Sequence, residues 1–191
     1  MSSKDSIITL PNSHLHAKSQ KVKVVGEEVR DLIEKMKAAT LDWEASREHE
    51  LGVALAAVQV DELRRVVIIR NDFDDKKDLS FSVFINPEII KLEGEIEEDY
   101  EGCLSVLNIY GKVPRYTKVR VRAQDELGRQ IRVKAEGFLA RVFQHEIDHT
   151  YGVMFVDHIS TKQDAFYKLT EDGKLESLAY EDAKKADIFR D

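Results

Sequence analysis

Residues 144–152 read QHEIDHTYG, and within them His145, Glu146 and His149 stand in the order H-E-x-x-H. After Gly137, Phe138, Val142, His145 and His149 recur at i, i+4, i+7 and i+11. That spacing predicts a helix with both imidazoles on one buried face. Two histidines one turn apart project to the same side, so their ring nitrogens can converge on one ion. Glu146 is rotated by about 100° from His145. It can flank a water beside the ion without ligating the ion, where a general base must sit. Unrelated hydrolases share this pattern, so it predicts metal chemistry and leaves the reaction open. His49-Glu50 begins the same way, but position 53 is valine. That pair reads as solvated loop.

The third ligand decides the class. A zincin protease takes it from downstream, where Asp157, His158 and Asp164 are the candidates. Upstream stands Cys103, the only cysteine, in EGCLS at residues 101–105. A lone cysteine is most often simply buried. Against that, Gly102 frees the backbone for a close approach, and a two-histidine site still lacks a ligand. One Cys with two His would leave a fourth, open position, which is a catalytic geometry.

The 191 residues suggest one domain with a small appendage. We expect a catalytic unit over residues 1–160 and a polar tail over 161–191, with a hairpin in FYKLTEDGKLESL and a short helix or unstructured end after it. A hydrophobic content of 42% suffices for a core, and 34% charged residues suit a soluble surface. No run reaches the roughly 18 apolar residues of a membrane span, and MSSKDSIITLPNS is not a secretory signal. The net charge of −7 argues against a general nucleic-acid binder. The expectation is a cytoplasmic chain with no DNA or membrane partner.

Val25, Val29, Leu32, Ile33 and Met36 predict a first helix over residues 26–39, followed by loop or frayed helix over 41–51 (LDWEASREHEL). Residues 65–70 (RVVIIR) read as a buried strand, and 81–85 (FSVFI) as another closed by Asn86-Pro87. Alternation breaks around Gly94. KVRVRA at 118–123 and QIRVKA at 130–135 flank the turn DELG and predict a hairpin. The expected fold is α+β, with mostly antiparallel short strands around a central helix that carries HEIDH.

Three motifs in order make the chain resemble a peptide deformylase: GVALAAVQ at 52–59, EGCLS at 101–105 and QHEIDH at 144–149, with VPR at 113–115 between them. The resemblance runs from about residue 7 to 159. It implies that Cys103, His145 and His149 ligate one divalent metal ion, Fe(II) in the family, with Zn(II) or Ni(II) able to replace it. It implies Glu146 as acid/base, and the Gln59 amide and Leu104 backbone N–H as the oxyanion hole. The substrate would be the formyl-Met end of a nascent peptide, released of formate, with the ribosome a candidate partner of the tail. Asp148 is expected to pair with Arg115, and Glu101 to hold a ligand histidine or an arginine. Val53, Ala54 and Phe138 are candidates for the methionine pocket, and Arg141 for the groove or the surface.

The chain departs from the family pattern in four places. Ala54 stands where the first motif has its second glycine, which predicts a tighter or altered groove with the chemistry intact. Val106-Leu107 follows EGCLS where Pro is usual at the second position, Thr150 replaces a leucine, and 41–51 is longer than in compact members. Two rivals remain: a binding protein on the same fold that Ala54 has blocked from turnover, and a zincin-like metallopeptidase.

Overall fold

A computed structural model describes residues 6–190; Met1 to Asp5, the start of the stretch MSSKDSIITLPNS, and Asp191 lie outside it. The order of elements is α1 (Glu27–Ala45), β1 (Ala54–Ala56), β2 (Val66–Arg70), β3 (Phe81–Cys103), β4 (Val106–Gln124), β5 (Gln130–Glu136), α2 (Gly137–Thr150), β6 (Phe166–Leu169), β7 (Leu175–Ser177) and α3 (Tyr180–Lys185). The strands join in one antiparallel sheet among the described residues, in the order β1-β2-β3-β4-β6-β7, with β5 also on β4. The expected α+β class is the observed one.

β2 is buried at every position, because the sheet is covered on both faces there. Val66 and Ile68 pack with Leu32, Ile33 and Met36 of α1. Val67 and Ile69 pack with Val142, Phe143 and Ile147 of α2. Helix α2 thus lies in the middle of the molecule. A third core cluster joins Cys103, Val113 and Phe155 to Phe166, Ala183 and Ile188 from beyond residue 160.

Three expectations change. Helix α1 runs on to Ala45 rather than 39, because Thr40 and Trp43 continue its buried stripe beneath the charged residues that disguised it. Asn86-Pro87 does not end the third strand. Asn86 adopts φ 53°, the register shifts between Ile85 and Glu88, and β3 passes from pairing with β2 to pairing with β4. The Asn86 side chain bonds both N–H and C=O of Val22, which makes the bulge a braced feature. Phe138, expected on the buried face of α2, is 51% exposed in its first turn, edge-on to Phe73. The 118–124/130–136 hairpin and the second hairpin about Asp172-Gly173 form as expected.

Candidate active site

Two pieces of backbone bring the metal-ligating atoms together. EGCLS is the end of β3 and the tight turn into β4, which sets Cys103 at the tip of the β3–β4 hairpin. Helix α2 presents His145 and His149 towards that tip. His149 Nε2 lies 3.4 Å from Cys103 Sγ and 3.2 Å from His145 Nε2. A tetrahedral ion at ordinary bond lengths needs about 3.6 Å between sulfur and nitrogen and about 3.3 Å between two nitrogens. Both distances are close to what one ion requires, so the donor set suits a shared ion. Among the described residues it is the one group of three such side chains whose ligand atoms all lie within 4.8 Å of one another. Two of the downstream candidates, His158 and Asp157, are engaged elsewhere. His158 sits 2.7 Å from Asp148 and 3.3 Å from Arg115, and Asp157 accepts the Met154 N–H at 2.7 Å.

Glu101 organises the site from behind. Its Oε2 lies 3.0 Å from His145 Nδ1 and accepts from Arg115 Nη2 at 3.1 Å. Its Oε1 accepts from Arg115 Nε at 2.8 Å and Arg141 Nη1 at 2.9 Å. Both partners foreseen for Glu101, a histidine and an arginine, are present. A His145 Nδ1–H held there leaves the Nε2 lone pair free on the side of His149, where it would ligate a bound ion. Burial alone would raise the Glu101 carboxyl, but His145 and Arg115 hold it well below the usual carboxylate range. Burial alone would lower His145, but Cys103 and Glu101 raise it; His149 is lowered by burial and by its neighbour His145. Arg115 Nη1 donates to Asp148 Oδ2 at 2.6 Å, tying α2 to β4 through the pair that the resemblance implies. Arg141 lines the groove rather than the surface. It is buried and donates to Glu101 and to the Val113 and Glu97 carbonyls.

Glu146 is buried, and its Oε2 has no hydrogen-bond partner. Burial pushes its carboxyl up to about 7. Gln59 comes from the 3-10 turn after β1. Its Oε1 accepts the Ala56 N–H at 2.9 Å, so the amide is oriented with its Nε2 towards Ser105 Oγ (3.1 Å) and Cys103 Sγ (3.4 Å). Ser105 sits in the second motif, but no periodicity marks it as a partner of Gln59. Gln144, quoted at the outset without a role, acts like a strand. Its side chain accepts the Tyr116 N–H at 3.1 Å and donates to the Tyr116 carbonyl at 2.8 Å.

A cavity of about 280 Å³ opens onto these groups, lined by Cys103, Leu104, Gln59, His145 and Glu146. Val53, Ala54 and Phe138 line it too, with Phe138 exposed rather than core. Ala54 lies in a regular strand outside the positive-φ positions, so its methyl costs no backbone strain. Thr150 bonds the Ile147 carbonyl and is buried. The Glu50 expected in a solvated loop is half-buried, lines this cavity and accepts the Tyr110 hydroxyl at 2.7 Å.

The comparisons with known proteins agree on one family. Residues 4–165 match the family model for polypeptide deformylase. The peptide deformylase of Thermomicrobium roseum is 40% identical over 165 residues, 85% of this chain and 89% of that protein. Peptide deformylase 2 of Clostridium acetobutylicum is 42% identical over 146 residues, 76% of this chain and 89% of that one. Among solved structures, a peptide deformylase from Synechococcus elongatus in complex with actinonin superposes with a TM-score of 0.74 at 33% identity, covering 82% of this chain and 80% of that chain. One from Legionella pneumophila gives 0.70 at 38% identity, covering 81% and 85%.

Proposed function

The chain belongs to the peptide deformylase family, and from that premise we propose how its residues share the reaction. It is a metal-dependent peptide deformylase with an intact Cys-His-His site, and enzymes of this family act on formylated new polypeptides. We assign one divalent ion to Cys103, His145 and His149: Fe(II), with Zn(II) or Ni(II) able to take its place. Thiolate and imidazole donors suit these borderline-soft metals. When bound, the ion supplies Lewis acidity, which a formamide needs because it is a poor electrophile.

The rest is done by this chain's own groups. Glu146 takes the proton of the attacking water and later delivers it to the departing amine nitrogen, giving formate and a free N-terminus. Its burial keeps the carboxyl near neutrality, where it can do both. The Gln59 amide and the Leu104 N–H donate to the formyl oxygen as charge gathers on it. Gln59 is already turned by Ala56 with its NH2 towards the thiolate. Glu101, Arg115 and Asp148 hold the His145 ring and helix α2 in register. Val53, Ala54 and Phe138 receive the methionine side chain and adjacent backbone. Such substrates arise in the cytoplasm, where we place the protein. No helix among the described residues is long and apolar enough to cross a membrane. A ribosome contact through residues 161–191 is the remaining part of the proposal.

One observation carries the reading: a metal-spaced sulfur and two nitrogens stand together, and Cys103 and His145 among them line a cavity with a buried carboxyl that has an unpartnered oxygen. The test is anaerobic formate release from a formyl-Met peptide. Wild type releases formate, Glu146→Ala releases none while keeping its metal, and Cys103→Ala loses the metal. Absence of release by fully loaded wild type would sink the assignment. Cleavage of internal peptide bonds by a Cys103→Ala variant that keeps its metal would turn it into an endopeptidase.

A further inference from the structure

His49, Glu50 and Leu51 line the cavity at the end of the segment 46–51, for which none of the three motifs accounts. The segment is tied to β4 by two contacts. Glu50 Oε2 accepts from the Tyr110 hydroxyl at 2.7 Å, and Arg47 Nη1 donates to Asn108 Oδ1 at 2.7 Å. Arg47 also reaches Glu50 Oε1 at 3.4 Å. Its two ends are anchored as well. Glu44 Oε2, at the end of α1, accepts the Gly52 N–H at 3.0 Å and the buried Arg70 Nη1 at 2.6 Å. The Tyr110 ring lies against Gly102, where any Cβ would run into it. Gly102 is the neighbour of Cys103. The Glu50–Tyr110 bond therefore joins the segment leading into β1 to the strand end that carries the thiolate. Burial and the Glu50 carboxylate push the Tyr110 phenol up, so it stays a donor at physiological pH. Trp43, Glu50, Val53, Gly102 and Tyr110 all line the cavity.

We propose that residues 46–51, fastened by Glu50 to Tyr110, are a substrate-positioning wall that sets how tightly the formylated peptide is held, without entering the bond-breaking steps. This rests on the deformylase reading of the same site. Glu50 and Tyr110 are positioning residues, since neither belongs to the metal-ligating group. A wall fastened in advance need not be ordered when peptide binds, and that saved entropy appears as affinity. Loss of the tie weakens ground and transition states alike, so KM rises while kcat holds.

Trp43 is the only tryptophan in the chain, so its emission reports on this cavity without turnover. In a Glu146→Ala background, formyl-Met-Ala-Ser is titrated against the unchanged wall, Tyr110→Phe and Glu50→Gln. Kd rises about fivefold to tenfold for Tyr110→Phe, and less for Glu50→Gln, which keeps an acceptor. The double variant is no weaker than Tyr110→Phe, because both changes remove the same bond. With Glu146 restored and metal loaded, KM rises by the same factor and kcat stays within about twofold. Unchanged Kd at unchanged thermal midpoints overturns the proposal. So does kcat falling with the folded fraction while KM stays put, which is the mark of a merely structural tie. A wild type that releases no formate defeats the deformylase reading instead, and the fluorescence titration still decides the wall.

Discussion

Glu101 meets three basic side chains, Arg115, Arg141 and His145, with both carboxylate oxygens occupied. Its folded carboxyl titrates well below that of an unfolded chain. The stability this confers is present above the unfolded value of about 4.3 and is lost as pH falls from there through the folded value. Urea midpoints of metal-free protein, measured from roughly pH 6 down to 3, should fall steeply for wild type and shallowly for Glu101→Gln. Parallel curves would show that Glu101 is not the source. The residue-level roles were unequally legible. Cys103, His145 and His149 could be read because ligand chemistry restricts both residue type and spacing. Arg141 could not, since an arginine one turn before a histidine reads equally well as groove or surface. What decides it is a pair of carbonyls, Glu97 and Val113, delivered by strands more than 25 residues away.

Helix α2 is buried along most of its length, yet carries Arg141, Gln144, His145, Glu146 and His149. Such a helix is tolerable only when its polar groups are matched. Gln144 is the clearest case, since its amide completes the hydrogen bonding of Tyr116 on β4. Gln144→Leu leaves the Tyr116 N–H and C=O without these partners. It should cost about 2–3 kcal/mol in a denaturant titration, with the metal stoichiometry retained. A cost near zero would mean that water replaces the amide. At this scale the sequence was legible where periodicity was clean, as in the β4–β5 hairpin and α2. It misled where a strand had to bend. Asn86-Pro87 carries every local signal of a strand end, but a bulge there lets one long strand serve two partners.

The whole molecule closes around the site through the segment after Ser160. Strand β6 pairs with β4 at Ile109 to Gly111, and Phe166, Ala183 and Ile188 enter the same core cluster as Cys103. Arg190 reaches back to His16 and to the Gly152 carbonyl at the end of α2. Removal of residues 161–191 exposes fully buried Phe166 contacts and should cost several kcal/mol, at about 2–3 kcal/mol for each large apolar side chain. A truncated chain with an unchanged thermal midpoint would show that this packing contributes nothing.

The sequence by itself determined the chemistry: one thiolate, two imidazoles and a carboxylate, in an order and spacing that metal hydrolysis demands. It also determined the class of fold, because hydrophobic period follows secondary structure directly. Only the tertiary structure decided which groups support that chemistry. Glu101 gathers three basic partners, Ser105 and Ala56 aim the Gln59 amide, and Glu50 crosses to Tyr110. These contacts join residues 3 to 60 positions apart. Most of them depend on the register of β3 on β4 and the docking of α2, which no local pattern encodes.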